Sequence, residues 1–497
     1  MRSDVAQPNV LFIAVDQWPG ALLGCAGHPS VLTPTIDHLA RLGTRYTRAY
    51  SESPICIPAR RSMMTGLSPR GHGDRSFKPA ERLPEGPLLA QCFRDAGYQA
   101  TAIGKLHVFP QRARIGFDDT ILAEEGRLEL GTTDDYDTYL TEHGHAGEQF
   151  MHGMSNNDYM FRPWHLEEAH HVTNWTARAA ARAIKRRDPD RPGFWHVSFT
   201  HPHPPLAPLA SYIEMYDRLP IDEPNAGTWS ERLETLPQAL QIVRAYWPAE
   251  HSAHVLRGIR QAYYALCTHI DHQIRVLFGT LRDEGILDDT VIALVSDHGD
   301  MLGEHGLWGK CVFYERAANV PFILVGTASC KRIGRGVTDD RLVALQDIMP
   351  TLLDLAGLPI PETLDGMSAV GAERREFLYG ECREMRSATR MMHDGRHKLI
   401  WYPAGNQIQL FDLTADPTEM LDLSVDPAYA KVRTRLEHEL AKCLYGCDEA
   451  WVTDGRLIGY QPDEYTPEAS RTFANQRGLH YPPPPLVNPE KSGAMAR

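Results

Sequence analysis

Through most of the chain, short continuous apolar runs alternate with longer stretches in which apolar residues recur every three or four positions. Residues 9–15, 98–103, 194–199, 291–296 and 321–325 are runs rich in β-branched and aromatic side chains, the pattern of strands buried on both faces of a sheet. Helical periodicity marks 33–43, 88–95, 173–187, 254–284 and 345–356. In the longest of these, Ile270, Ile274, Leu277 and Leu281 share one face. Thr33, Pro34 and Gly43 predict the first helix as an N-cap, a proline at the first position and a glycine just past the end. Strands alternating with helices predict an α/β fold, a large mostly parallel sheet sandwiched by helices.

Four of the predicted strands run into polar clusters at their carboxyl ends: Asp16-Gln17, Gly104-Lys105-Leu106-His107, Thr200-His201-Pro202-His203 and Asp297-His298-Gly299-Asp300. In a parallel sheet these clusters converge along one edge, where open α/β sheets place their sites. A fifth segment, Cys56-Ile57-Pro58-Ala59-Arg60, reads as a helix start, with Pro58 in the first turn and Gly66 at the far end. Backbone N–H groups and the helix dipole would acidify a thiol there, with Arg60 one turn on. Cys56 is therefore open to three readings: a reactive thiol, a metal ligand or a residue meant for modification.

After Gly371 the pattern changes. Residues 377–380, 397–402 and 409–413 read as short strands, and 428–444 as a helix laid over them. The expected organisation is an α/β domain over 1–370, with an insertion at 122–171 near the site. A smaller C-terminal α+β domain follows over 371–446, and then a Pro-rich tail over 447–497. The tail is expected to wrap the surface or reach a neighbouring subunit, so a homo-oligomer is possible.

Composition narrows the function classes. The 497 residues carry 51 basic and 64 acidic side chains, a net charge of −13, which argues against nucleic acid and anionic membranes as partners. No run approaches the roughly 20 apolar residues of a membrane span. The first residues lack the pattern of a secretory signal, and the nine cysteines contain no CxxC pair. Reduced thiols and a cytoplasmic location are the expectation.

Asp16, Asp297 and His298, with the Gln17 amide, form a donor set suited to a divalent cation such as Ca²⁺, Mg²⁺ or Mn²⁺. Joined to Cys56-Ile57-Pro58-Ala59-Arg60 and Thr65-Gly66, the chain resembles the type I sulfatases, the formylglycine-dependent members of the alkaline-phosphatase-like superfamily. Gly104-Lys105-Leu106-His107 and Pro202-His203-Pro204-Pro205 match further elements of that family. So do Ser296-Asp297-His298-Gly299, Gly303-Glu304-His305-Gly306, Gly309-Lys310 and the run Leu410-Phe411-Asp412-Leu413, Asp416-Pro417, Glu419.

The resemblance implies a sulfuric-ester hydrolase acting on an aryl or carbohydrate sulfate. It implies that Cys56 is oxidised to formylglycine by a formylglycine-generating or equivalent maturation enzyme, and that the hydrated aldehyde attacks sulfur. Asp16, Gln17, Asp297, His298 and residue 56 would hold one divalent cation, Ca²⁺ before Mn²⁺ or Mg²⁺. Arg60 would orient the diol, Lys105 would bridge it to the sulfate, and His107 would act as base. His203 and Lys310 would contact the sulfate and the leaving oxygen.

The family often carries Asp where this chain has Gln17. The Asp-Gln pair resembles the phosphonate monoester hydrolases and phosphodiesterases of the same superfamily, which are the alternative reading. A non-catalytic binding protein on the same fold is the second alternative. Asn156, Asn157, Asp158 and Tyr159, with Arg162, Trp164 and His165, are candidate substrate-facing groups. His143, His145 and His152 read as solvated histidines rather than a second metal site.

Overall fold

The computed structural model describes residues 7–126, 134–154, 157, 159–247, 251–462 and 464. Eight strands form the large sheet: β1 (Asn9–Asp16), β2 (Thr44–Tyr50), β3 (Gln99–Gly104), β4 (Asp119–Leu122), β5 (Gly193–Pro202), β6 (Thr290–Ser296), β7 (Phe322–Val325) and β8 (Val337–Ala344). Their order is β4-β3-β5-β1-β6-β7-β2-β8. Strand pairing is parallel except at β7, which runs antiparallel to both β6 and β2. The sheet is therefore mostly parallel, as the alternation predicts.

β1 shows why a continuous apolar run is needed. Leu11, Ile13 and Val15 enter one core, beneath the helices Pro34–Leu42, Val172–Lys185 and Ala253–Asp283. Val10 and Phe12 enter the other, beneath Cys56–Thr65, Leu89–Asp95 and Ile348–Leu355. Successive side chains of one strand thus feed both layers, and residues 10–15 are apolar on both faces.

Two details at the first helix differ from expectation. The Thr33 hydroxyl does not cap the helix; it accepts from the Gly24 N–H at 2.8 Å and donates to Asp37 at 3.0 Å. Gly43 is extended, at φ −136°, rather than left-handed. It is glycine because a Cβ there would sit 1.9 Å from the Leu324 carbonyl oxygen of β7.

A second, antiparallel sheet contains β9 (Leu378–Cys382), β10 (Thr389–His393), β11 (His397–Tyr402) and β12 (Gln407–Asp412), in the order β12-β11-β10-β9. The Ala430–Cys443 helix packs Leu436 and Leu440 on one face. Met391, Ile400, Tyr402 and Phe411 on the other meet Val312, Phe313 and Tyr314 of the large unit. The Leu410–Glu419 signature serves this joint. Asp412 binds Arg396, and Glu419 pairs with the buried Lys398, which also holds Glu315.

His196, on β5, is fully buried between Phe12 and Phe117, and neither ring nitrogen has a hydrogen-bond partner. Burial pushes its pKa down to about 3, so it is neutral in the fold. The unfolded chain takes up a proton near pH 6.5, so stability falls as pH drops from there towards 3. Replacing His196 with phenylalanine removes two unsatisfied buried groups and should raise stability by about 1–2 kcal/mol near neutral pH. The gain should widen by ~1.4 kcal/mol for each pH unit below 6.5. Thermal midpoints at pH 7.5 and 5.5 check this; a gain that does not grow on acidification refutes the assignment.

Candidate active site

The carboxyl ends of β1, β3, β5 and β6 meet the N-terminus of the Cys56–Thr65 helix. Every residue of that helix is buried, and Cys56 is its first residue, with Pro58 in the first turn. Gly66 closes the helix in the left-handed conformation at φ 67°, as the Thr-Gly pair suggests. The thiol sulfur lies 3.2 Å from His298 Nε2, 3.9 Å from Asp16 Oδ1 and 2.9 Å from Lys310 Nζ.

Asp16, Cys56, Asp297 and His298 each bring one donor atom within 4.8 Å of all the others, and all four are buried. Two carboxylates, an imidazole and one further donor in a pocket of that size fit a divalent cation. The Gln17 amide lies beside this group, since Lys310 Nζ contacts both Gln17 Oε1, at 2.8 Å, and Cys56 Sγ, at 2.9 Å. Gln17 has a left-handed backbone at φ 65°, which its N–H to Asp297 Oδ1 (3.0 Å) and the Tyr263 hydroxyl on its carbonyl hold in place. Ser296 ties the ends of β1 and β6 together, accepting from the Trp18 N–H and donating to the His298 carbonyl.

The cations are arranged against these acids. Arg60 Nε donates to Asp297 Oδ2 at 2.9 Å, and Nη2 stands 3.5 Å from Asp16. Its Nη1 is spent on the Lys105 carbonyl and the Ser198 hydroxyl, both at 2.9 Å. Lys105 Nζ contacts Asp16 and lies 2.8 Å from Glu125 Oε1. Lys310 Nζ bridges Cys56 and Gln17 Oε1. His203 Nδ1 lies 2.6 Å from the Pro204 carbonyl, which fixes a proton on that nitrogen, and 3.7 Å from Glu125.

The electrostatic consequence is large. Burial raises the Cys56 thiol, but Lys310, Lys105 and His298, with a hydrogen bond from His107, hold it well below its ordinary range. Burial and the Cys56 charge likewise oppose ionisation of Asp16, yet Lys105, His203 and Arg60 keep it below the usual carboxylate value. Residue 56 thus sits where an anion is strongly favoured.

All ten sequence-predicted site residues, Asp16, Gln17, Cys56, Arg60, Lys105, His107, His203, Asp297, His298 and Lys310, gather in this one buried region. Sequence reasoning missed Glu124 and Glu125. Glu124 Oε1 accepts the N–H groups of Leu106 and His107, holding His107 in its left-handed turn at φ 59°. Both acids follow β4, a short half-exposed strand with little sequence signal.

The insertion behaves differently from expectation. The Tyr159 ring packs on Trp308 and its hydroxyl points inward, to Asp300 and Gln17. Arg162 binds the His152 carbonyl and His165 the Glu148 carbonyl. Asn157 offers its carbonyl to Trp247; Asn156 and Asp158 lie outside the described residues. His143, His145 and His152 have separate partners, Tyr139, Glu148 and the Met154 N–H. His152 is buried rather than solvated.

Comparison with known proteins agrees with this geometry. The Sulfatase family model matches residues 8–358. The chain belongs to the sulfatase family. A second model, N-sulphoglucosamine sulphohydrolase, C-terminal, matches residues 303–445. The chain is 33% identical to an arylsulfatase of Clostridium perfringens over 473 residues, covering 91% of this chain and 98% of that one. It is 30% identical to a choline-sulfatase of Rhizobium meliloti, covering 85% and 83%. Among solved structures, the phosphonate monoester hydrolase of Agrobacterium radiobacter superposes with a TM-score of 0.76 at 25% identity, covering 92% of this chain and all of that one. This sulfatase is an enzyme that hydrolyses sulfate esters on an alkaline-phosphatase-like fold.

Proposed function

We propose that this sulfatase cleaves an aryl sulfate monoester through a formylglycine formed from Cys56, with one bound Ca²⁺. What carries the reading is the position of Cys56: the first residue of a buried helix, within 4.8 Å of three metal-type donors and 2.9 Å from a lysine. An aryl leaving group is proposed from the likeness to the arylsulfatase.

Hydrated formylglycine offers one hydroxyl to attack sulfur and a second whose deprotonation expels sulfate by C–O cleavage, regenerating the aldehyde. Once residue 56 presents oxygen, Asp16, Gln17, Asp297 and residue 56 give oxygen donors and His298 one nitrogen. That set suits Ca²⁺, with Mg²⁺ or Mn²⁺ as competitors. The cation would lower the pKa of the attacking hydroxyl and offset the charge of the sulfate.

The remaining roles follow from placement. Arg60 spends Nε and Nη1 on Asp297, Lys105 and Ser198 and keeps Nη2 3.5 Å from Asp16, so it holds the acids and the helix start in register. Lys105 and Lys310 flank the nucleophile and stabilise charge on the transferring group. His107, hydrogen-bonded to residue 56, takes the proton of the second hydroxyl. His203, with Nδ1 committed to a carbonyl, presents its other nitrogen to protonate the leaving oxygen.

Two measurements test the reading. The peptide containing Cys56, from protein co-produced with a formylglycine-generating enzyme, should have the mass of an aldehyde in place of CH₂SH. The matured protein, assayed on an aryl sulfate, a phosphodiester and a phosphonate monoester, should favour the sulfate in kcat/KM. The Asp-Gln pair and the fold shared with a phosphonate monoester hydrolase make the reverse preference the competing outcome, and it would overturn the sulfate assignment. A Ca²⁺-loaded protein that Mg²⁺ or Mn²⁺ outcompetes would overturn the choice of cation.

A further inference from the structure

Gln17 stands where a carboxylate would meet the cation from either oxygen. A carboxamide has only one face that binds a cation, its oxygen; the nitrogen can only donate. A glutamine ligand therefore needs something to settle which end points inward.

The surroundings of Gln17 do this. Its Nε2 lies 2.6 Å from Asp300 Oδ2 and 3.1 Å from the Tyr159 hydroxyl oxygen. Tyr159 itself donates to Asp300 Oδ2 at 2.5 Å, which frees its oxygen to accept from Gln17. Asp300 Oδ1 accepts the N–H groups of Leu302 (2.9 Å) and Gly309 (3.2 Å). These four hydrogen-bond partners of the Asp300 carboxylate all donate to it. A carbonyl end of Gln17 placed there would set oxygen against oxygen. On the opposite side, Lys310 Nζ donates to Gln17 Oε1 at 2.8 Å, leaving that oxygen a second lone pair.

Gln17, Asp300 and Tyr159 are all buried, so water does not replace these bonds at little cost. The glycine at 309 fits the same scheme: a Cβ there would lie 2.6 Å from the Trp247 ring, so the backbone N–H can reach Asp300 only with glycine in place.

We propose that Asp300 and Tyr159 are positioning residues for the metal centre, clamping the Gln17 carboxamide nitrogen so that its oxygen faces the cation. The carboxylate that the family often places at position 17 is, in effect, set back to position 300. The inference rests on the reading of Gln17 as a metal ligand. It also gives Tyr159 a role in the site distinct from substrate contact.

The test is divalent-cation affinity, measured on the full-length protein by competition with a fluorescent chelator, using Ca²⁺ as the probe. Asp300→Asn offers Gln17 an amide and lets its carboxamide turn over, so Kd for Ca²⁺ should weaken by about 10–100-fold, the usual effect of removing a group that orients a ligand. Tyr159→Phe removes one of two acceptors and should weaken it by less. A purely structural role for Asp300 predicts no rescue, whereas the clamp predicts one. In the double variant Gln17→Glu/Asp300→Asn, the amide at 300 donates to the new carboxylate, and most of the affinity should return.

Wild-type affinity in Asp300→Asn, or a double variant as weak as the single one, overturns the clamp. If Asp300→Asn does not fold, Tyr159→Phe decides, and unchanged affinity there overturns it too. A wild-type protein that turns over sulfate ester without binding any divalent cation removes the metal reading and the clamp together. A wild-type protein that binds Ca²⁺ while the variants match it removes the clamp alone.

Discussion

A Cys56→Ala variant of the matured enzyme is expected to lose sulfate-ester turnover by on the order of 10⁵-fold or more while keeping its fold. The size follows from what is removed. Lys105, Lys310, His107, His203 and the metal-type donors all remain, so substrate binding and charge stabilisation persist. What goes is the atom that forms the covalent bond, and losses of that kind are large and do not add with those of neighbouring groups. Lys310→Ala, which removes one stabilising charge, should cost only about 10²–10³.

Cys56→Ser separates the two halves of the mechanism. A serine hydroxyl in the same pocket can attack sulfur once, but it has no second hydroxyl on the same carbon to expel the sulfate. That variant should release one equivalent of alcohol and stall with a sulfo group on residue 56, visible in the intact mass. Full turnover by Cys56→Ala would contradict the sulfate reading and the phosphorus alternative alike, since both use this nucleophile.

Seven of the ten site residues end or follow strands of the large sheet, whereas Cys56 and Arg60 are legible as a helix start and Lys310 only through the family resemblance. β1 and β6 are continuous apolar runs and β3 and β5 are predominantly apolar, so the polar cluster that ends each one is conspicuous. β2, β4 and β8 carry half-exposed positions and charged residues, and an edge or near-edge strand of that kind has no apolar run to mark it. Glu124 and Glu125 were lost with β4. β10 was missed for a different reason: its Thr-Arg-Met-Met-His is fully buried, but Arg390 and His393 disguise it. Arg390 is neutralised by Asp448, a residue 58 positions away, and no local pattern announces that pairing. The clamp on Gln17 is of the same type. Gln17 meets Asp300 across a sequence separation of 283, and Tyr159 looks like a substrate-facing aromatic until its hydroxyl is seen to point inward.

Arg60 leads to the second large effect, on stability rather than rate. Its guanidinium is buried against Asp297 and Asp16. Without it, Asp297 Oδ1 keeps the N–H groups of Gln17 and His298, and Asp16 keeps Lys105. Breaking a buried pair leaves an uncompensated charge, at a cost of about 3–5 kcal/mol. Arg60→Met, which preserves most of the packed stem, should therefore lower the thermal midpoint of metal-free protein by several degrees.

The sign of two dependences distinguishes this from simple loss of packing. Burial and Asp16 already raise Asp297 above its ordinary value, and removing Arg60 raises it further. A carboxylate with a raised folded pKa opposes folding when ionised, and the opposition fades as pH falls and it takes up a proton. The deficit of the variant, measured in chelator, should thus be greatest at alkaline pH and narrow on acidification. A divalent cation supplies the missing positive charge and binds only the folded state. Its stabilising effect should be larger in Arg60→Met than in wild type, and the gap between the two should close as the cation is added. A deficit that is the same at every pH and every cation concentration would mean that Arg60 contributes packing alone, and that the acids at the end of β1 and β6 do not depend on it for their charge.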